Sequence, residues 1–255
     1  MAVVSAFRQP AELGELGERE MRVHLAALYR LVAHFGWTDL VQTHISARVP
    51  GEPGHFLINP YGLMFDEITA SSLVKIDYDG EIVESTPYPV NKAGFIIHSA
   101  IHRARPDVAC VLHTHTRAGV AVSCQRNGLL PLSQHAMVLT GNVAYHGYEG
   151  VSLETDEQAR LVADLGGKRA MILCNHGSLS AGRTVPEAFE TMYYLEMSCR
   201  IQIDALAGGV PVMVQSPEIA EKVARQYDTY AHPIGMRAWP GLLRMLDAKD
   251  PSYRE

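Results

Sequence analysis

Two histidines one residue apart, His113 and His115, close the apolar run Val108–Leu112. An apolar run of that length, ending in a polar pair, reads as a buried strand. Successive strand side chains alternate faces, so the two imidazoles project to the same side with their Cα atoms about 6–7 Å apart. Imidazoles at that spacing can share one metal ion through nitrogen–metal bonds of about 2.0–2.1 Å. The segment Ala170–Cys174 followed by Asn175, His176 and Gly177 repeats the pattern of apolar strand, then histidine, then glycine at a turn. Three histidine ligands leave a coordination position open, which is the mark of a catalytic rather than a structural site. The expected cofactor is one divalent ion per chain. Zinc is the first expectation, and iron or manganese is compatible with the same nitrogen donors. Cys174, two residues before His176, is a further possible ligand.

The elements that must carry these residues can be read from periodicity. Arg19–Phe35 has helical spacing of apolar residues, with Gly36 placed to end it. Thr43–Val49, His55–Asn59, Leu73–Asp77 and Glu81–Glu84 read as short strands. The last two flank the hairpin signal Asp79-Gly80, and Asp66–Thr69 reads as a short helical turn. Asn91–Arg105 reads as a helix stopped by Pro106, Val108–His115 as a strand, and Arg117–Gln125 as a helix. Val138–Leu139 and Val143–Tyr145 read as short strands. Thr155 to Gln158 forms a capping box opening a helix to Leu165, and Thr184 to Glu187 forms another opening the longest helix, to Ala207. One more helix is expected after Ser216. Helices alternating with a largely antiparallel sheet give an α/β fold built in layers.

Composition is that of an ordinary globular protein: 255 residues, 47% apolar, 20% charged, net charge -6. The mild acidity argues against nucleic acid and against an anionic membrane surface as partners. No apolar run approaches the roughly 20 residues of a membrane helix. The N-terminal segment does not read as a signal peptide. Cys110, Cys124, Cys174 and Cys199 form no C-x-x-C pair and read as free thiols in a reducing cytoplasm.

Three stretches resemble the class II aldolase/adducin family: FLINPYGLMFDEITASSLVKIDYDG (Phe56–Gly80), HSAIHRARPDVACVLHTHT (His98–Thr116) and ILCNHGSLSAG (Ile172–Gly182). The resemblance runs from Arg19 to about Gly209. It implies a three-layer αβα fold around a nine-stranded, mainly antiparallel sheet, a homotetramer with the site near a subunit contact, and metal-ligand roles for His113, His115 and His176. By the same resemblance the chain divides into an N-terminal extension (1–18), the family domain (19–209) and a C-terminal tail (210–255) with one helix that packs at a subunit contact.

Departures from the family pattern are equally informative. Sugar-phosphate aldolases of the family carry S-S-E before the helix that leads to H-x-H, with the Glu as general acid/base. Here those positions are Lys92, Ala93 and Gly94, and the phosphate-contacting G-N-x-S becomes Thr43-His44-Ile45-Ser46. Glycine cannot move a proton, and its missing side chain is expected to leave room beside the metal. The wording Val90-Asn91-Lys92-Ala93-Gly94-Phe95 is similar to the adducin branch, whose animal members are cytoskeletal scaffolds lacking parts of the triad. The family also holds metal-dependent decarboxylases and iron-dependent oxidative decarboxylases of hydroxyaryl acids.

Further candidates follow. Lys92 and Arg117 are cations suited to orient a substrate carboxylate or other oxyanion. His44 can transfer a proton near neutral pH. Asn59 and Gly62, in the Asn-Pro-Tyr-Gly turn, stand where the family places substrate contacts. His98 and His102, one helical turn apart, read as packing residues. Tyr227, Tyr230 and His232 in the tail are candidates to reach a neighbouring subunit's site. The leading expectation is a metal-dependent lyase cleaving a C–C bond of a small keto or hydroxy acid, by decarboxylation or retro-aldol reaction. An iron(II) oxygenase on the same histidines and a non-catalytic adducin-like interaction module are the alternatives.

Overall fold

The computed structural model describes residues 16–150 and 156–255. Its elements, in chain order, are α1 (Glu18–His34), β1 (His44–Arg48), β2 (His55–Ile58), β3 (Val74–Asp77), α2 (Lys92–Ala104), β4 (Cys110–Thr114), α3 (Arg117–Ser123), α4 (Gln134–Met137), β5 (Val143–His146), α5 (Glu157–Leu165), β6 (Ala170–Leu173), β7 (Gly177–Gly182), α6 (Val185–Ala207), α7 (Pro217–Tyr230) and α8 (Trp239–Lys249). The sheet order is β3-β2-β1-β4-β7-β6-β5. Every neighbouring pair is antiparallel except β5–β6. No helix among the described residues is long and apolar enough to cross a membrane.

Strand alternation sorts the core into two layers. Ile45, Ala47, Leu112 and Ile172 face α1 and α6, where Leu25, Leu28, Met192 and Leu195 cover them. Val111, Met171, Leu179 and Ala181 face the opposite side, against Ile97 and Ile101 of α2 and Leu161 of α5. The arrangement is the expected αβα sandwich.

Seven strands are present among the described residues, not nine. Glu81–Glu84 contributes one isolated bridge, Ile76 to Ile82; Pro87 and Pro89, just beyond, remove ladder donors. Val138 caps α4 rather than entering a strand, and Asp66–Thr69 is an irregular turn. Thr155 lies outside the described residues, so α5 is seen only from its Asp156 cap. One strand was not anticipated. β7, Gly-Ser-Leu-Ser-Ala-Gly, pairs with both β4 and β6. Its small residues are a packing requirement: a Cβ at Gly182 would overlap the Ala188 backbone of α6.

The tail holds two α-helices where one was expected. Pro240 sits in the first turn of α8, where its missing N–H costs little. Trp239 and Leu246 of α8 are buried in the same layer as α1, and Trp239 Nε1–H donates to His24 Nδ1 at 2.7 Å.

The antiparallel pairings bring the start of β1, the end of β2, the end of β4 and the β6–β7 turn to one end of the sheet. The parallel β5–β6 pair adds the end of β5 there. His44, Asn59, His113, His115, His146 and His176 all fall at that end.

Candidate metal centre

His113 is the penultimate residue of β4 and faces the α2 layer with Val111. Its ring is almost completely buried. Nδ1–H donates to the Ser178 carbonyl at 3.0 Å, which leaves Nε2 with its lone pair. His115 lies just past the strand, and its Nδ1–H donates to Asp39 Oδ2 at 3.0 Å. His176 is delivered by the β6–β7 turn. Asn175 before it takes a left-handed φ of 57°, a conformation Asn adopts more readily than most residues, and the His176 N–H closes the turn on the Leu173 carbonyl.

The three Nε2 atoms converge. His115 Nε2 lies 2.8 Å from His113 Nε2 and 2.9 Å from His176 Nε2. All three ligand atoms fall within 4.8 Å of one another. This donor set fits a divalent ion. The nitrogens are the neutral ligand type, and two of the rings are oriented through Nδ1 by a carbonyl and a carboxylate, the usual outer support of metal-bound histidine. Burial lowers the pKa of His113 well below the ordinary histidine value. Burial and then the neighbouring His115 lower His176 to about 4. His113 and His176 therefore stay unprotonated at neutral pH, as ligation demands.

A second layer of histidines backs the first. His44 of β1 pairs directly with His113 across the β1–β4 ladder, and their ring centroids are 5.1 Å apart. Above them passes α2 with Gly94, His98 and His102 at four-residue spacing on one stripe. The space expected at Gly94 is not empty. A Cβ placed there would lie 2.6 Å from His44 Cδ2 and 2.8 Å from its Cγ, so the His44 imidazole fills the room that a side chain at position 94 would take. His44 Nδ1 lies 2.8 Å from His98 Nε2, Ser46 Oγ lies 2.6 Å from His98 Nδ1, and the same oxygen lies 2.7 Å from His102 Nε2. His98 and His102 are buried, as packing residues are, but they also form a polar chain ending on His44. Burial first, then His98, His115 and His176, push the His44 pKa well below the ordinary value.

The remaining candidates are spread more widely. Asn59 is buried at the end of β2 and its Oδ1 accepts from Tyr29 O–H at 2.9 Å. Gly62 has φ of 108° and is a turn residue that an L side chain would strain. Lys92 opens α2, and its side chain lies outside the described part of the structure. Arg117 opens α3 and lines a cleft with Gly36, Glu196, Arg200 and Asp204, a cleft to which no member of the triad contributes. Tyr227 O–H donates to Glu190 of its own chain, Tyr230 is exposed beneath Arg237, and His232 is exposed. Cys174 is half-buried, its backbone N–H held by the His146 carbonyl.

Asp39 was not foreseen. No spacing links it to His115; only the antiparallel β1–β4 pairing brings the segment before β1 to the end of β4. Tyr148, just after β5, was also missed; its ring centroid is 6.5 Å from that of His176.

Comparison with known proteins gives a consistent picture. Residues 23–203 match the Class II Aldolase and Adducin N-terminal domain family. An aldolase II superfamily protein from Pseudomonas syringae has a crystal structure that is 52% identical, covers 93% of this chain and 96% of its own, and superposes with a TM-score of 0.90. An L-fuculose 1-phosphate aldolase from Glaciozyma antarctica PI12 is 28% identical, covers 95% of this chain and 94% of its own, with a TM-score of 0.84. Alpha-adducin of Rattus norvegicus is 44% identical over 91% of this chain, which spans 33% of that protein.

Proposed function

Because the chain belongs to the class II aldolase and adducin family, we propose that it is a metal-dependent lyase in which His113, His115 and His176 hold one divalent ion and His44 moves the proton. The observation that carries this reading is the His44 ring on Gly94, next to the converging triad. A chain that had lost its chemistry together with its acid/base carboxylate would have no need of a buried imidazole in the vacated place.

A bound divalent ion supplies Lewis acidity, drawing electrons toward a carbonyl oxygen next to the breaking C–C bond. The rest falls to the side chains. With Nδ1 engaged by His98, His44 offers Nε2 for proton transfer. In a retro-aldol cleavage it accepts the hydroxyl proton, the C–O bond becomes a carbonyl as the C–C bond breaks, and the same proton returns to the carbon that has gained the electron pair. In a decarboxylation the departing carbon dioxide leaves its electrons behind, so no proton is removed first, and the proton that the carbon then takes up comes from water by way of His44 Nε2. The substrate we propose is a small keto or hydroxy acid with a carboxylate or other oxyanion, rather than the sugar phosphate named for the Glaciozyma aldolase, since Lys92, Ala93 and His44 replace phosphate-cradle residues. We further propose a homotetramer, the arrangement implied by the family resemblance.

The test is direct. Protein purified without added metal should carry one equivalent of divalent metal per chain by elemental analysis, and the His113→Ala/His115→Ala variant should carry none. His44→Gln should keep the metal and lower turnover on the best acid substrate by about 10²–10⁴-fold, the worth of general acid–base help. Metal-free preparations that resist loading would turn the reading toward an adducin-like interaction module. Turnover of fuculose phosphate at roughly 1–10³ per second would overturn the substrate class.

A further inference from the structure

The chain of three hydrogen-bonding contacts behind His44 carries more information than its existence. His44, Ser46, His98 and His102 are all at most 3% exposed. Two periodicities mesh to build it. Residues 44 and 46 share a face of β1, and residues 94, 98 and 102 share a stripe of α2. Desolvation keeps the resting imidazoles of so deep a layer neutral. Burial, then Arg48, lowers His102 to about 3, and burial, then His102 and His113, holds His98 well below the ordinary range.

Each neutral imidazole has one N–H and one lone pair, and the serine has one proton. A middle member that donates on one side must therefore accept on the other. Because the serine oxygen can also accept twice, three protonation patterns satisfy all three contacts. In the first, every proton points away from the metal centre: His44 Nδ1–H donates to His98 Nε2, His98 Nδ1–H to Ser46 Oγ, and Ser46 Oγ–H to His102 Nε2. In the second, every proton is reversed and His44 carries its N–H on Nε2. In the third, His98 Nδ1–H and His102 Nε2–H both donate to Ser46 Oγ, and His44 again carries its N–H on Nδ1.

The far end leaves room for either form of His102, because its Nδ1 makes no hydrogen bond and it is held in the chain through Nε2 alone. A proton on His102 Nδ1 requires the outward pattern, and a proton on its Nε2 still permits the pattern in which Ser46 accepts from both rings. His44 therefore carries its proton on Nδ1 in every pattern in which Ser46 accepts from His98. Resting on the reading of His44 as the proton-transfer group, we propose that His98, Ser46 and His102 are positioning residues that fix His44 as the Nδ1–H tautomer and leave its Nε2 lone pair free as a base. The device acts by tautomer selection at constant charge, 5.1 Å ring to ring from His113.

The tautomer can be read without any turnover. Magic-angle-spinning NMR of ¹⁵N-histidine-labelled protein, metal-free and zinc-loaded, separates Nδ1–H from Nε2–H rings, and the His44→Gln variant assigns the His44 signals. The expected wild-type result in both preparations is His44 protonated on Nδ1. Ser46→Ala cuts the chain and should give a mixture of His44 tautomers, with metal content unchanged; Ser46→Thr, which keeps the hydroxyl, should restore the single form. His102→Gln is the independent cut from the far end and should also mix the tautomers. On an active substrate, Ser46→Ala should lower kcat roughly 10–100-fold, the usual worth of an outer-layer orienting contact, with KM nearly unchanged. An Nε2–H tautomer in the wild type overturns the proposal, and so does a His44 signal that neither Ser46→Ala nor His102→Gln alters. If the tautomer pattern holds and no lyase substrate is found, it is the functional reading that fails and not this one.

Discussion

Gly94→Ala tests the packing of the site most sharply, because the added atom is one methyl group and its neighbours are known. The new Cβ would lie 2.6 Å from His44 Cδ2 and 2.8 Å from Cγ. Carbon atoms rest at about 3.5–4.0 Å, so the ring must retreat by about 1 Å. It cannot do so freely, because Nδ1 is tied to His98 at 2.8 Å. Overpacking of this kind costs about 1–3 kcal/mol. The gain in helix propensity from Gly to Ala returns about 0.8–1.0 kcal/mol, so net destabilisation should be about 0–2 kcal/mol. For a domain of this size that lowers Tm by roughly 0–8 °C. Activity should suffer more than stability, since a displacement of about 1 Å at a reacting group costs on the order of 10²-fold. Calorimetry and steady-state kinetics on wild type, Gly94→Ala, His44→Ala and the double variant form a cycle. In the His44→Ala background the same methyl group should be tolerated or stabilising, so the two sites should couple strongly. If Gly94→Ala raises Tm and keeps full activity with His44 intact, the ring does not occupy that space and the reasoning fails.

Other expectations can be checked singly. Asp39→Asn removes the carboxylate that orients His115, and metal affinity by chelator competition should fall about 10–100-fold; an unchanged affinity would show that Asp39 does not support the ligand. The metal-free protein should lose stability as pH falls from about 6.5, because His102 and His176, lowered to about 3 and about 4, stay neutral in the fold while the unfolded chain takes up protons. Each contributes up to ~1.4 kcal/mol per pH unit until the pH reaches its folded value, so a Tm that is flat between pH 7 and 5 would contradict the burial of these rings. Trp239→Ala should cost about 3–5 kcal/mol in urea unfolding, since the ring is buried against the α1 layer and hydrogen-bonded to His24; a cost under 1 kcal/mol would mean α8 is not an integral part of the fold.

The three converging histidines were legible because their signal is local. H-x-H at the end of an apolar run, and His-Gly after another, need only strand alternation to be understood. Asp39 and the Ser178 carbonyl were not legible, because their relation to the histidines exists only once β1 and β7 have paired with β4. β7 escaped notice for a related reason: Gly177–Gly182 lacks the branched and aromatic residues that announce a strand, and its smallness reflects the closeness of α6, which sequence does not display. His98 and His102 are spaced as any helix interior would be, so their hydrogen bonds to Ser46 were invisible in one dimension. Gly94 misled in the opposite direction. A missing side chain suggests a void, but close packing rarely leaves one, and the compensating residue lay fifty positions away in His44.

The pairing of His44 with His113 divides the centre into two parts with separate supports. All three prospective ligands hang from β4 and the β6–β7 turn in the middle of the sheet. The side chains proposed to handle the proton hang from β1 and α2. The two parts meet along the β1–β4 ladder and where Ile97 and Ile101 of α2 pack on Val111 of β4. Substitutions at the α2 and β1 positions around His44 can therefore alter which protons move while leaving the strands that carry the prospective ligands in place. A glutamate at position 94 and an imidazole at position 44 become alternative fillings of one volume, each excluding the other by size. Such a division lets one scaffold change its reaction through few substitutions, and it marks β1 and α2 as the place to redesign this centre for a different proton donor.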